Sequence, residues 1–278
     1  MLELNKIHLG NCFDLLPLIP DGSVDAIITD PPYETTGLHF DKPGRIDWDL
    51  FYSEIRRVLK VNGWFFMFGT EDMFVKAHGF FRRKFTYVWV KNAIVFQTAD
   101  AVKPFSKHEF IWVFIKKECK PSTLTFNKIA LRTDGNAYSI NHKERKSPFV
   151  KANTGYKETA FVSENTGYRE GTTVLYFDKD RTGLHQTAKP VALIEYLLGG
   201  YTNAGDIILD PFMGSGTTAL ACQSLNRNFI GIELFPDYVE IANRRLLQAR
   251  NLFTDTKFTQ PTNDATTNEL DTKQGEMF

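Results

Sequence analysis

Residues 205–234 read GDIILDPFMGSGTTALACQSLNRNFIGIEL. An apolar run, Ile207–Leu209, stops at Asp210-Pro211. A glycine-rich turn, Gly214-Ser215-Gly216, follows, and Thr217 to Leu225 then has helical composition. A second apolar run, Phe229–Ile232, ends on Glu233. Strand, glycine turn, helix and strand in this order predict one βαβ unit of a parallel sheet. The glycines permit a tight turn and let a ligand approach the backbone. The new helix presents free amide hydrogens and the positive end of its dipole. Glu233 closes the second strand, where an acid in a doubly wound sheet is placed to bind ribose hydroxyls.

The pattern is G-x-G-T-T rather than G-x-G-x-x-G, and an acid precedes the glycines. Asp210 would repel a pyrophosphate but suits an ammonium group. No G-x-x-x-x-G-K-[ST] run occurs, which excludes a P-loop. The expected ligand therefore carries a ribose and an amino acid, as S-adenosylmethionine does. The plain alternative is a glycine turn that only links strand to helix.

Outward from this unit, the chain alternates short apolar runs and helical stretches. Ile7–Leu9, Val24–Ile28, Trp64–Phe68, Thr86–Val90 and Phe110–Ile115 read as strands. Asp47–Leu59 reads as a helix stopped at Asn62-Gly63. A second runs from Pro190 to Leu198 and stops at Gly199-Gly200, and a third covers Pro236 to Gln248. The predicted fold is α/β: a Rossmann-like, doubly wound, mostly parallel sheet. Residues 1–115 and 186–252 form the core. Residues 116–185 are polar, contain the repeat Asn153-Thr154-Gly155-Tyr156 and Asn165-Thr166-Gly167-Tyr168, and read as an insertion. Residues 253–278, rich in Thr, Asn, Asp and Gln, read as a disordered tail.

Composition narrows the function classes. With 42% apolar and 24% charged residues, the chain of 278 is ordinary for a soluble globular protein. No run approaches a membrane span, and no basic-apolar leader opens the sequence. Three widely spaced cysteines fit a reducing cytoplasm and neither a disulfide framework nor a zinc site. The net charge is zero, yet residues 116–151 carry nine Lys/Arg against three Asp/Glu. That local excess permits a phosphate-bearing partner, although a solvated basic surface would look the same.

The other notable strand ending is Asp30-Pro31-Pro32-Tyr33. The prolines cannot continue a ladder, so Asp30 sits at a stiff terminus with an aromatic three residues on. Alone, this is equally a rigid turn with a solvated acid. Together the motifs are specific. DPFMGSGTT resembles the methionine-binding motif of amino-methyltransferases acting on DNA, and DPPY resembles their catalytic motif. The catalytic motif comes first, as in the β class of permuted DNA methyltransferases. His185-Gln186-Thr187-Ala188-Lys189-Pro190 resembles that class's HPTxKP box, with Gln186 where Pro is usual. His108-Glu109-Phe110 also matches the family. Gly10-Asn11-Cys12 stands where the family has Gly-Asp-Cys. The Asn11 oxygen can still accept from the cofactor's adenine amine, and the Cys12 amide can serve the ring.

The resemblance implies that Asp30, Pro31, Pro32 and Tyr33 are catalytic. It implies cofactor contacts by Asn11, Cys12, Asp30, Lys189, Asp210, Phe212, Gly214, Ser215, Gly216, Thr217 and Glu233, and no metal. The expected activity is transfer of a methyl group from S-adenosylmethionine to adenine N6 in double-stranded DNA, the base being flipped out first. Family members acting on cytosine N4 more often carry Ser at the position of Asp30. Cytosine-N4 methylation is the alternative, followed by an inactive DNA-binding relative. Residues 116–185 would recognise the target, and the loop from Glu34 to Ile46 could close over the base. The family also leads one to expect a homodimer, and leaves room for a restriction-endonuclease partner.

Overall fold

The computed structural model describes residues 2–33, 46–91, 107–134, 138–142, 161–165, 168–169, 171–178 and 188–255. The predicted closing loop up to residue 45, His185 to Thr187, the first copy of the repeat and residues 256–278 of the predicted tail lie outside them, whereas residues 253–255 of that tail are the end of the last helix.

In chain order the elements are β1 (Lys6–Leu9), α1 (Cys12–Leu15), β2 (Val24–Thr29), α2 (Trp48–Val58), β3 (Leu59–Gly69), α3 (Glu71–Ala77), β4 (Phe81–Val90) and β5 (His108–Lys116). The short strands β6 (Thr133–Asp134), β7 (Tyr138–His142), β8 (Phe161–Asn165), β9 (Tyr168–Arg169) and β10 (Val174–Tyr176) follow. The chain then forms α4 (Val191–Tyr201), β11 (Ile207–Asp210), α5 (Thr217–Ser224), β12 (Asn228–Glu233) and α6 (Pro236–Asp255).

Eight strands make one sheet in the order β1-β12-β11-β2-β3-β5-β4-β10. Only β5 runs against the others. Each face is covered, so the strands can be apolar on both sides. Trp64, Phe66 and Phe68 of β3 join one buried cluster with Leu193, Leu197 and Ala219. Phe65 and Met67 join the other with Phe51, Tyr52 and Ile55 of α2.

This topology creates the site. Beyond β2 the chain crosses through α2 to β3 on one side. Beyond β11 it crosses through α5 to β12 on the other. The two loops part, and a crevice opens between β2 and β11, where open α/β sheets bind ligands. Asp25 sets the register there: one oxygen binds Lys60 Nζ at 2.6 Å and the other accepts from Ile207 N at 3.0 Å. A polar residue inside a buried strand thus ties the two site-bearing strands together.

Three local expectations change. Gly199-Gly200 does not stop α4, which continues to Tyr201. A Cβ on Gly200 would lie 2.4 Å from Leu131, so glycine there admits a neighbouring turn. Asn62-Gly63 does not end a helix. It lies inside β3, where a Cβ on Gly63 would meet the Asp25 carbonyl at 2.8 Å, beside a register shift in the β2–β3 ladder. Val174–Tyr176, within the stretch read as an insertion, pairs with β4 as an edge strand of the main sheet. Helices α1 and α3 were not foreseen; both are short, four and seven residues. Among the described residues, no helix is long and apolar enough to cross a membrane.

Candidate active site

A cavity of about 370 Å³ occupies the crevice and touches both motifs, from Asp30 to Tyr33 and from Asp210 to Ser215. Asn11, Cys12, Lys189, Thr217 and Glu233 also line it.

Asp30 follows β2 directly, and Pro31 is buried behind it. The Tyr33 hydroxyl turns back across the prolines and donates to Asp30 Oδ1 at 2.5 Å. The Lys189 ammonium binds Asp30 Oδ2 and lies 3.4 Å from Glu109 Oε2. Its nitrogen stands 5.0 Å from the Phe68 ring centre and 5.9 Å from that of Tyr33. Lys189, expected among the cofactor contacts, is therefore seated on the carboxylate of the catalytic motif. An ionised carboxylate has about four acceptor directions, so two donors leave Asp30 capacity for an amine.

On the other wall, Asp210 turns inward. Its Oδ1 accepts from Phe212 N at 3.1 Å and its Oδ2 from the Thr218 hydroxyl at 2.6 Å. Burial pushes its carboxyl up to about 7, against the pull of those two donors. A carboxyl whose folded pKa exceeds its unfolded value of about 3.9 favours folding fully only at low pH. That contribution fades as pH rises towards 7. Between pH 5 and pH 7.5 the protein should therefore lose about 2–3 kcal/mol more stability than Asp210→Asn. Urea denaturation of both proteins at the two pH values measures this, because other groups titrate alike in each. Parallel pH profiles would contradict it.

The glycine turn is held from both sides. Gly214 and Gly216 have φ of 53° and 85°, in the left-handed region. Gly214 N donates to Glu233 Oε2 at 2.7 Å and Phe235 N to Glu233 Oε1 at 2.9 Å. Burial raises the Glu233 pKa, with these amides opposing. Behind the turn, Arg245 of α6 donates to the Ser215 carbonyl at 2.7 Å and its hydroxyl at 3.0 Å, and reaches Thr217 Oγ1 at 3.4 Å. Asn11 caps α1, accepting from Phe13 N at 3.0 Å. Cys12 is buried, and burial lifts its thiol to about 12, so it remains protonated.

These residues fit S-adenosylmethionine. A Cβ on Gly214 would meet nothing within 4 Å, so the turn faces open space. Glu233 keeps acceptor capacity for a ribose diol beside the two amides it already receives. Asn11 keeps one acceptor direction for an adenine amine. A second carboxylate, Asp210, lies along the same cavity.

Lys91, the Glu109 pairing and Arg245 escaped the sequence reading. Glu109 carried only a family signal. Lys91 and Arg245 lie in ordinary charged surroundings, and only the fold shows what they reach.

The sequence model of a family described as DNA methylase matches residues 24–244. The type II methyltransferase M.HpaI of Haemophilus parainfluenzae is 30% identical over 254 residues, covering 87% of this chain and 74% of that protein. M.HinfI of Haemophilus influenzae, also a type II methyltransferase, is 26% identical over 275 residues, covering 89% and 69%. The crystal structure of an M1.HpyAVI–SAM complex is 28% identical with a TM-score of 0.56, covering 86% of this chain and 98% of that one. The cytosine-N4-specific PvuII DNA methyltransferase shares the fold, with a TM-score of 0.59 at 14% identity over 89% of this chain and 90% of its own.

Proposed function

The chain belongs to the DNA methylase family of N6/N4 methyltransferases, which use S-adenosylmethionine, and from that premise we propose that its acceptor is the N6 amine of adenine in double-stranded DNA. The observation that carries this reading is the Asp30 carboxylate, anchored by Tyr33 and Lys189 and open to the same cavity as Glu233.

Bound S-adenosylmethionine supplies a methyl group on a sulfonium centre. Glu233 holds the ribose hydroxyls, Asn11 accepts from the adenine amine, and Asp210 and the glycine turn face the amino-acid end. The acceptor amine is a poor nucleophile because its lone pair is delocalised into the base. Asp30 and the Pro31 carbonyl accept its two N–H bonds, favour pyramidalisation and localise that lone pair. Proline fixes the carbonyl beforehand, so no reorganisation accompanies the reaction. As the nitrogen–methyl bond forms, the sulfur–methyl bond would break with its electron pair left on sulfur, and the Asp30 charge stabilises the positive charge that grows on the amine nitrogen until one of its two protons is released. Tyr33 supplies a ring face to the base, which must leave the stack because its amine is otherwise paired.

Residues 116–185 are the proposed recognition segment, their basic excess meeting phosphates and their Tyr, Asn and Arg meeting base edges. The relatives are named as type II methyltransferases, which supports a restriction-modification setting with an endonuclease partner.

Expression in a methylation-free bacterial host, followed by sequencing that detects modified bases, tests the proposal. N6-methyladenine recurring in one short sequence is expected. Recurrent N4-methylcytosine would move the acceptor to cytosine, and unmodified DNA would overturn the activity.

A further inference from the structure

Four charged side chains alternate in sign, and three of them, Asp30, Lys189 and Glu109, line the cavity. Lys91, one residue past β4, binds Glu109 Oε1. Glu109 of β5 faces Lys189 through Oε2, a buried oxygen that receives no hydrogen bond and holds the ammonium as an ion pair at 3.4 Å, and Lys189 binds Asp30. The two lysine side chains are 7% and 8% exposed. The β4–β5 ladder brings the first pair together: Trp89 lies opposite Glu109, and Lys91 N donates to the Lys107 carbonyl at 2.7 Å. Burial alone would raise the Glu109 pKa, but Lys189 and Lys91 outweigh it and hold the acid ionised. Burying such a quartet is a poor route to stability, since apolar packing does as well without the desolvation cost. A role at the reacting centre accounts for it better.

We infer that Glu109 is a positioning residue for methyl transfer: by sharing the Lys189 ammonium with Asp30, it fixes how that carboxylate is held and leaves its remaining lone pairs to the acceptor amine. The inference rests on the reading that Asp30 receives the amine. An ammonium has three donors. Released from Glu109, Lys189 can close onto both Asp30 oxygens and compete with the substrate for them. Lys91 anchors Glu109 from the far side, so the order of the four groups runs from the β4 end to the acceptor.

The test uses the full chain, duplex DNA from a methylation-free host and labelled S-adenosylmethionine. Glu109→Gln, Glu109→Asp and the double variant Lys91→Met/Glu109→Gln are compared with the parent. Glu109→Gln should lower the single-turnover transfer rate ~10- to 100-fold, the scale expected of a misplaced reacting group. Its affinity for S-adenosylmethionine should be unchanged. Glu109→Asp should recover part of the rate. The double variant restores the charge balance without restoring the anchor, so it should fold like the parent and remain slow. Parental rates in the double variant, or in Glu109→Gln, would overturn the inference, since Glu109 would then only balance Lys91. Should Glu109→Gln fail to fold, the double variant decides alone. A parent that binds S-adenosylmethionine but methylates no DNA would instead remove the underlying reading, and this inference with it.

Discussion

Asp30→Ala is expected to cut methyl transfer to DNA by about 10²–10³-fold or more, while S-adenosylmethionine and duplex binding persist. The range is that for removing one preorganised group aimed at developing charge. Here the loss is compounded, because Asp30 also anchors Tyr33 and Lys189. The variant should still fold. Lys189 keeps Glu109 as a counter-ion, a carboxylate it then shares with the buried Lys91. Comparing single-turnover rates with equilibrium binding separates the two effects. A variant that turns over at the parental rate would remove Asp30 from the mechanism. One that loses cofactor binding to the same degree would make it a cofactor residue instead.

Gly216→Ala is expected to cost about 2–5 kcal/mol of stability, a large share of the 5–15 kcal/mol typical of a domain. Two terms add. At φ 85° a side chain is strained, by about 1–2 kcal/mol. The new Cβ would also lie 2.7 Å from the Ala242 Cβ and 3.1 Å from its Cα, where α6 backs the turn. Overpacking of that kind costs about 1–3 kcal/mol. Relief in Gly216→Ala/Ala242→Gly should recover the steric part, less about 1 kcal/mol for glycine within a helix. The backbone strain should remain. Denaturant midpoints of the two variants measure both terms, and an unchanged midpoint in Gly216→Ala would contradict the close packing. Cofactor affinity should fall in step, because the same turn positions the Gly214 amide on Glu233.

The sheet and both motifs were legible because periodicity and turn chemistry are local. Ile207–Asp210 and Asn228–Glu233 could be read almost to the residue from apolar runs ended by acids. The glycines misled where their use is not local. Gly200 looks like a helix stop, yet its purpose is to admit Leu131, a residue 69 positions earlier. Gly63 looks like a cap, yet it makes room for the Asp25 carbonyl. The same limit governs the site. The sequence could show Asp30, Tyr33 and Lys189 as members of motifs. It could not show that the tyrosine hydroxyl and the lysine ammonium take separate oxygens of one carboxylate. Nor could it show that Lys91 and Glu109 complete the chain of charges, since no spacing rule links positions on β2, β4, β5 and the approach to α4.

The most direct measurement is the identity of the methylated nucleoside. Purified protein is incubated with labelled S-adenosylmethionine and unmethylated duplex DNA, the DNA is digested, and the nucleosides are separated and weighed. Label in N6-methyladenosine of the deoxy series, lost in Asp30→Ala, is the predicted result. Label in N4-methylcytosine, or on the protein with none on the DNA, would contradict the account.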